Sequence, residues 1–236
     1  MSWHEAPRHA TSNTQLPCSM CRSENIPAFA VWLRGDSDPG HYGNGRSWST
    51  TTLYRDGRPI EDPARFLVED RATYRIEQVG EANVGPEHQL AAHSHTAWTF
   101  VSAAPTELEI EGCGEVLPSA NVCAALPVIM LGYHVPLDLL NRAPAGGDFE
   151  FAVRTSRPKG YAGPTEVAGM KVSVSYDDGA TWEAARVERG RAGEFTVRTH
   201  HPRLTATNGF VSLRVEAWDR RGNRTVQTIE RAYFLR

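Results

Sequence analysis

The sequence predicts an all-β protein built from short antiparallel strands. Apolar and polar residues alternate with period two far more often than with helical spacing. Turn signals such as Asp56-Gly57, Asp178-Gly179 and Asn208-Gly209 recur at short intervals. Between the strand-like runs we find no helical pattern of the length that a parallel α/β sheet requires. These three observations favour antiparallel sheets over any helix-containing class.

The two clearest strands lie in the second half of the chain. In the run from Met170 to Tyr176, apolar residues alternate with Lys171, Ser173 and Ser175. The run from Phe210 to Trp218 repeats this alternation. Each pattern predicts a strand that is buried on one face only.

We expect two consecutive antiparallel β-sandwich domains. Residues 126–236 hold about seven strand candidates, which suits an immunoglobulin-like or fibronectin III-like sandwich. Residues 28–103 form the first sandwich, residues 1–27 an extended lead-in, and residues 104–125 a linker or long loop. The strand candidates of the first sandwich are 29–33, 51–54, 66–68, 72–79 and 95–101.

Composition excludes several function classes. The chain has 236 residues, of which 40% are hydrophobic and 22% are charged, as expected of a globular protein. Its formal net charge of −3 provides no positive field for a polyanion, so we predict no nucleic-acid partner. The most apolar stretch, Ala124 to Val135, is too short to cross a bilayer, so we predict no membrane association. The first residues also lack the apolar core of a secretory signal.

The most specific local string is SYDDGATW, which fits the pattern S-x-D-x-G-x-T-W of the Asp-boxes in sialidase propellers. In this string Asp177 is placed to accept hydrogen bonds from turn amides, Gly179 allows a positive φ, and Trp182 covers the hairpin base. None of these tasks is chemical. We therefore predict a structural hairpin formed by Ser175, Asp177, Gly179, Thr181 and Trp182.

Two histidines are candidates for metal binding. His93 and His95 are two residues apart in a strand-like run, so their side chains point to the same side. No third ligand follows them, which favours solvent-facing histidines over a metal site. His200 and His201 precede Pro202 in an expected loop, where neighbouring side chains diverge.

The four cysteines fall into two pairs. Cys18 and Cys21 have the C-x2-C spacing of zinc knuckles, whereas Cys113 and Cys123 have nine residues between them. Local disulfides are the simpler pairing in an exported protein, and a distorted four-cysteine zinc site is the alternative in a cytosolic one. We predict no metal and no cofactor, with the cysteines and His93 and His95 kept as minor metal candidates.

The remaining polar clusters are predicted to be turns. Asp36, Asp38, Gly40 and His41 surround an Asp-Pro-Gly turn, and Asp219 to Asn223 form a hairpin turn, with calcium as the alternative. The chain contains none of the common hydrolase, zinc-protease or nucleotide-binding motifs. We therefore predict no catalytic residue.

Several strings together resemble the accessory region of a protease family. From Val172 to Leu235, SVSYDDGATW, VSLRVEAWDRRGN and TVQTIERAYFL resemble the C-terminal β-sandwich of actinobacterial, Streptomyces-type subtilisin-like serine proteases of the S8 family. Segments similar to those that follow the protease domain in that family are LYRDG, ATYRIE, TAWTFVSA and LPVIMLGYHVPLDLLNRAPAG. CSMCRSENIP and DSDPGHYG resemble the start of the same region, so the similarity runs from Cys18 to the C-terminus.

The resemblance implies a non-catalytic accessory module of a secreted subtilase. The Asp, His and Ser motifs of subtilases do not occur here, so no catalytic residue is carried over. The expected partner is a protease catalytic domain or an extracellular protein or polysaccharide surface. The expected location is extracellular by resemblance, and cytoplasmic if Met1 is the true start.

Two other functions remain open. One is a stand-alone carbohydrate-binding module whose Trp48, Trp182 and Trp218 stack on sugars. The other is a metal-dependent enzyme that uses His93 and His95.

Overall fold

The computed structural model describes residues 7, 9–12, 18–29, 31–35, 47–63, 66–82, 89–107 and 122–236. In these residues the chain is all-β, with a 3-10 turn at Leu204–Ala206 and no α-helix. The strands are β1 (His9–Ser12), β2 (Met20–Ser23), β3 (Ile26–Phe29), β4 (Val31–Gly35), β5 (Ser47–Arg55), β6 (Arg58–Ile60), β7 (Ala72–Ala82), β8 (His93–Ser102), β9 (Ala124–Ala125), β10 (Met130–His134), β11 (Arg142–Ala143), β12 (Gly147–Ser156), β13 (Gly169–Ser175), β14 (Glu183–Ala184), β15 (Arg186–Arg189), β16 (Glu194–His201), β17 (Phe210–Trp218) and β18 (Arg224–Leu235).

One long sheet dominates the fold. Its strand order is β14-β13-β17-β18-β8-β7-β5-β6, and β11 is added in parallel to the end of β18. The other neighbours in this sheet are antiparallel. A second sheet has the order β10-β12-β16-β15, and two small separate sheets have the orders β3-β2-β9 and β1-β4. The predicted antiparallel all-β class is confirmed.

The largest hydrophobic core takes side chains from two sheets. The inward residues of β17 are Val211, Leu213, Val215 and Ala217, which are fully buried as their alternation predicts. They share a core with Phe151 and other residues of the sheet β10-β12-β16-β15. Burial of alternate residues from these two sheets in one core therefore stabilises this part of the chain.

A second core joins the two halves of the sequence. Tyr74 stacks on Phe100 at 5.6 Å and meets Phe66 edge-on at 5.2 Å. The same cluster includes Leu126 and Met130, which lie beyond residues 104–125. The segments that the sequence assigns to separate sandwiches thus share apolar contacts, while their domain boundaries stay a prediction.

The two halves also share backbone hydrogen bonds along one strand pair, which we call the seam. The seam pairs Ser94–Thr99 of β8 with Arg224–Ile229 of β18. Within the seam, the Gln227 side chain is buried at 1% exposure. It donates to the Thr96 hydroxyl at 2.9 Å and accepts from the Tyr133 hydroxyl at 2.8 Å. Because buried polar groups are stable only when hydrogen-bonded, this network specifies the alignment of the two strands.

Three local predictions need correction. Phe66–Val68 is not a strand; Phe66 and Leu67 fill the second core from an irregular segment, and the Val68 amide donates to the Tyr74 hydroxyl. His200 and His201 do not lie in a loop, since β16 continues through both. The expected lead-in contributes β1 and β2 to sheets through pairing with β4, β3 and β9.

Candidate functional site

The hairpin between β13 and β14 is closed by its own side chains, and we call residues 175–182 the exposed turn. The Asp177 carboxylate accepts from the Ser175 hydroxyl at 2.8 Å, and from the amide and hydroxyl of Thr181 at 2.9 and 2.6 Å. The Ser175 hydroxyl in turn accepts from the Gly179 amide at 2.8 Å. The hydrogen bonds from Thr181 and Ser175 hold the pKa of Asp177 below its usual value.

Backbone conformation explains why Gly179 stands in this turn. Asp178 has φ of 56° and Gly179 has φ of 88°, the left-handed values that an Asp-Gly hairpin turn needs. The Trp182 indole donates to the Gly179 carbonyl at 3.0 Å. On the other side of the turn, Asp178 forms an ion pair with Arg231 at 2.6 Å. The polar atoms of this turn are therefore engaged in its own structure.

A second turn follows β17, and we call residues 219–223 the buried turn. The Asp219 carboxylate accepts from the Arg221 and Asn223 amides and from the Asn223 side chain, at 2.7 to 3.0 Å. It also pairs with Arg157 at 2.7 Å, and the two side chains are only 4% and 3% exposed. Burial raises the pKa of Asp219, but the hydrogen bonds from Asn223 and Arg157 outweigh burial and leave this pKa below its usual value.

The buried turn connects distant parts of the chain. Arg157 donates to the Pro127 carbonyl at 2.7 Å, and the Asn223 side chain accepts from the Val101 amide of β8 at 3.1 Å. The geometry therefore assigns the acidic group of this turn to an ion pair. The calcium alternative for Asp219 to Asn223 gains no support, because protein donors occupy both oxygens of the carboxylate.

The outer face of the long sheet is a band of cations and aromatic rings. By strand register, one row across it runs through Trp218, Arg224, Thr99, Arg75 and Tyr54. We define the outer face as this row together with its same-side neighbours, which are Lys171, Arg214, Glu216, His95 and Glu77. Its arginines pair with acids on the same face, Arg224 with Glu216 and Arg75 with Glu77, each at 2.9 Å.

His93 and His95 both belong to β8 and lie on one side of it. His95 bonds to Glu77 at 2.7 Å, and His93 lies 3.6 Å from Glu81. Both acidic partners come from β7, which pairs with β8. These contacts are imidazole–carboxylate pairs on an exposed sheet surface, as the solvent-facing interpretation expects.

Three cysteine sulphur atoms converge at one point beside the small sheet. The sulphur atoms of Cys18, Cys21 and Cys123 all lie within 4.8 Å of one another, and all three residues are buried. Cys18 and Cys21 are bonded through sulphur, their Cα atoms 5.7 Å apart, and Cys123 is also in the disulfide form. The sequence spacing did not predict that Cys123 lies beside the C-x2-C pair. The pairing of β2 with β9 places it there.

A buried histidine is the main polar residue that sequence reasoning missed. His201 is fully buried, lies 2.8 Å from the Pro144 carbonyl and 3.1 Å from the Tyr233 hydroxyl, and stacks on Phe149. The carbonyl only accepts, so Nδ1 carries the proton and Nε2 accepts from Tyr233. Burial lowers the pKa of His201, which keeps the ring neutral inside the core.

Some predicted residues lie outside the described part of the chain. These are Cys113 and the cluster of Asp36, Asp38, Gly40 and His41. Trp48 lies in β5, but its side chain is likewise outside the description.

A cleft of about 440 Å³ opens next to the cysteine cluster. Its walls include Arg71, Arg221, Ser102 and Tyr161. Tyr161 also packs against the cysteine cluster, and the Arg157 guanidinium lies 5.4 Å from its ring. The cleft therefore adjoins both the cysteine cluster and the buried turn.

No protein-family model matches the chain, and no curated protein matches it. Within the described residues, no helix has the length and apolar character needed to cross a membrane.

Proposed function

We propose that the chain is a non-catalytic accessory module of a subtilisin-like serine protease, with a structural or protein-binding role. The observation that carries this proposal is the exposed turn, where the polar side chains of Ser175, Asp177 and Thr181 bond to one another. A side chain whose oxygens are saturated by its own turn serves the architecture. The similarity of the surrounding strings to subtilase C-terminal regions supplies the family.

We further propose an immunoglobulin-like or fibronectin III-like sandwich for residues 126–236. Two antiparallel sheets contribute to one core in this segment, and their buried residues alternate along the strands. These features support such a sandwich for a segment of this size.

The outer face is the surface that we propose for contact with the protease. It presents Arg214 at 4.1 Å above the Trp182 ring and Lys171 at 5.7 Å from the Trp218 ring. Arginine and aromatic side chains are enriched at the centres of protein interfaces. The resemblance to subtilase C-terminal regions implies that the partner is a protease catalytic domain.

The carbohydrate-binding alternative receives less support from these rings. A sugar stacks on an open aromatic face, whereas Arg214 covers one face of Trp182. Trp218 packs against Gly169 so closely that an added Cβ there would meet the ring at 2.4 Å. Flat binding isotherms with cell-wall and plant polysaccharides are expected; saturable binding would favour the alternative.

Two experiments test the proposal. First, the purified chain is expected to leave casein uncleaved, and cleavage that a serine-protease inhibitor blocks would contradict a non-catalytic role. Second, mapping the transcript upstream of the codon for Met1 is expected to find a subtilase catalytic domain in frame or adjacent. A separate transcript with no protease gene nearby would contradict the accessory role.

If that catalytic domain is found, titration calorimetry with the chain tests the contact surface. Arg214→Ala, on the outer face, is expected to weaken binding severalfold. Lys159→Ala, an exposed residue away from that face, is the matched control and is expected to bind normally. Equal binding by both variants would place the contact elsewhere.

A further inference from the structure

We propose that Cys18, Cys21 and Cys123, in their thiolate form, bind a zinc ion. Their three sulphur atoms converge within 4.8 Å of one another. With zinc–sulphur bonds of about 2.3 Å in a tetrahedral site, the ligand sulphur atoms lie about 3.8 Å apart. Three sulphur atoms within 4.8 Å of one another are therefore close enough to bind a single ion once they are reduced.

The fold creates this convergence from two separate parts of the chain. Cys18 and Cys21 flank the start of β2, and Cys21 lies opposite Ala125 of β9. Cys123 precedes Ala125 by two residues, so its side chain lies on the same face as Ala125 and diagonal to Cys21. The C-x2-C pair and the distant cysteine thus face one point, as in zinc sites built on a short β-unit.

The surroundings favour a metal for a second reason. The core of the small sheet consists of the three cysteines with Ala28 and Ala125, and Tyr161 packs on its edge. Such a core buries little apolar area, and small units of this kind depend on a metal or a covalent link for stability. Zinc bound by thiolates supplies folding free energy directly.

The disulfide form and the zinc form are alternatives. In the structure Cys18 and Cys21 are bonded to each other, and Cys123 is also disulfide-bonded. After reduction, zinc requires three or four ligand atoms at one point, and the three thiolates supply three of them. The site is assigned without Cys113, which lies outside the described residues.

The chemistry of loading is simple. A dithiol reductant first reduces each disulfide by two electrons and is itself oxidised to a disulfide. Each resulting thiol then loses its proton to solvent as its sulphur binds the ion, and this binding step changes no oxidation state. The disulfide form excludes the zinc form, so metal content also reports whether the chain folds in a reducing compartment. This inference does not rest on the proposed accessory role, because metal content is measured without any assay of that role.

The test uses the full chain, purified under reducing conditions from zinc-supplemented cells. We expect one equivalent of zinc by elemental mass spectrometry, released when a mercurial reagent modifies the thiols. Replacement by cobalt is expected to give the sulphur-to-cobalt charge-transfer band of a thiolate site. Cys123→Ser is expected to lose the metal, while His93→Ala, which alters the other metal candidate, retains it.

If Cys123→Ser fails to fold, zinc release from the unsubstituted chain still tests the proposal, because the mercurial reagent blocks the same sulphur ligands. The proposal is overturned if the reduced chain, incubated with zinc and then gel-filtered, carries no metal. It is equally overturned if zinc is retained after complete thiol modification, because the ligands would then not be sulphur.

Discussion

The exposed turn and the buried turn solve the same problem in different ways. Both close a hairpin, and in both an aspartate accepts several turn hydrogen bonds. Asp177 is exposed, and its hydrogen-bond partners lie within four residues of it. Asp219 is buried and pairs with Arg157, 62 residues away.

This difference in burial and in hydrogen-bond partners indicates which turn the global stability depends on. Removing the Asp177 contacts affects one hairpin, because solvent can replace the lost hydrogen bonds. Removing one partner of the Arg157–Asp219 pair leaves a charge in the interior without its counter-ion. We therefore expect the buried turn to govern global stability and the exposed turn to govern local order.

The largest effect is expected for Arg157→Met. This change keeps the length of the side chain but leaves the buried Asp219 carboxylate without its cation, at a cost of about 3–5 kcal/mol in the free energy of unfolding. Urea denaturation measures the loss. Arg186→Met removes an exposed ion pair with Glu188 and is the control, for which little change is expected. Equal losses would show that burial does not decide the cost of breaking an ion pair in this protein.

A smaller loss is expected for Asn223→Ala. The Asn223 side chain bridges Asp219 and the Val101 amide, so its removal leaves a buried donor of β8 without a partner. We expect about 2 kcal/mol, measured by the same denaturation. Asn208→Ala is the control, because its side chain bonds only to exposed groups, the Phe210 amide and the Asp178 carboxylate. A normal stability for Asn223→Ala would contradict a role for this turn in holding β8.

A still smaller loss is expected for Ser175→Ala in the exposed turn. The hydroxyl donates to Asp177 and accepts from the Gly179 amide, and its removal is expected to cost about 1 kcal/mol. Ser173→Ala, two residues earlier on the outward side of the same strand, is the matched control. A loss as large as that of Arg157→Met would erase the distinction between the turns.

The smallest effect is expected in the acid limb of the stability curve. The folded pKa of Asp177 lies below its unfolded value, so this group stabilises the fold above about pH 4 and loses its contribution as pH falls through the folded pKa. Thr181→Val removes a hydrogen-bond donor and is expected to bring the pKa of Asp177 back towards its ordinary value. Carboxyl NMR titration measures the change. An unaltered Asp177 titration in Thr181→Val would contradict the assigned cause.

Local sequence patterns predicted the strands and turns whose conformation is determined by neighbouring residues in the sequence. Alternation in Met170 to Tyr176 and Phe210 to Trp218 defines strands because one face of each meets a core. The Asp-Gly turns at residues 56 and 178 were predictable because left-handed φ values restrict the residue types allowed there. The hairpin at 175–182 could be anticipated for the same reason.

Long-range features were not predictable from these patterns. The run Phe66–Val68 has strand-like composition, yet its aromatic and aliphatic side chains fill a core from an irregular segment. Nothing near Asp219 in sequence indicates Arg157, and nothing near Cys21 indicates Cys123. Such contacts depend on which strands pair, and the local alternation of apolar and polar residues does not determine strand pairing.

We expect the described parts of the chain before and after residues 108–121 to unfold as one cooperative unit. They share the seam, the core around Tyr74 and the bond from Val101 to the buried turn. Differential scanning calorimetry tests this claim most directly. We expect a single transition in which the calorimetric and van't Hoff enthalpies agree. Two resolved transitions, with Arg157→Met shifting only one of them, would contradict it.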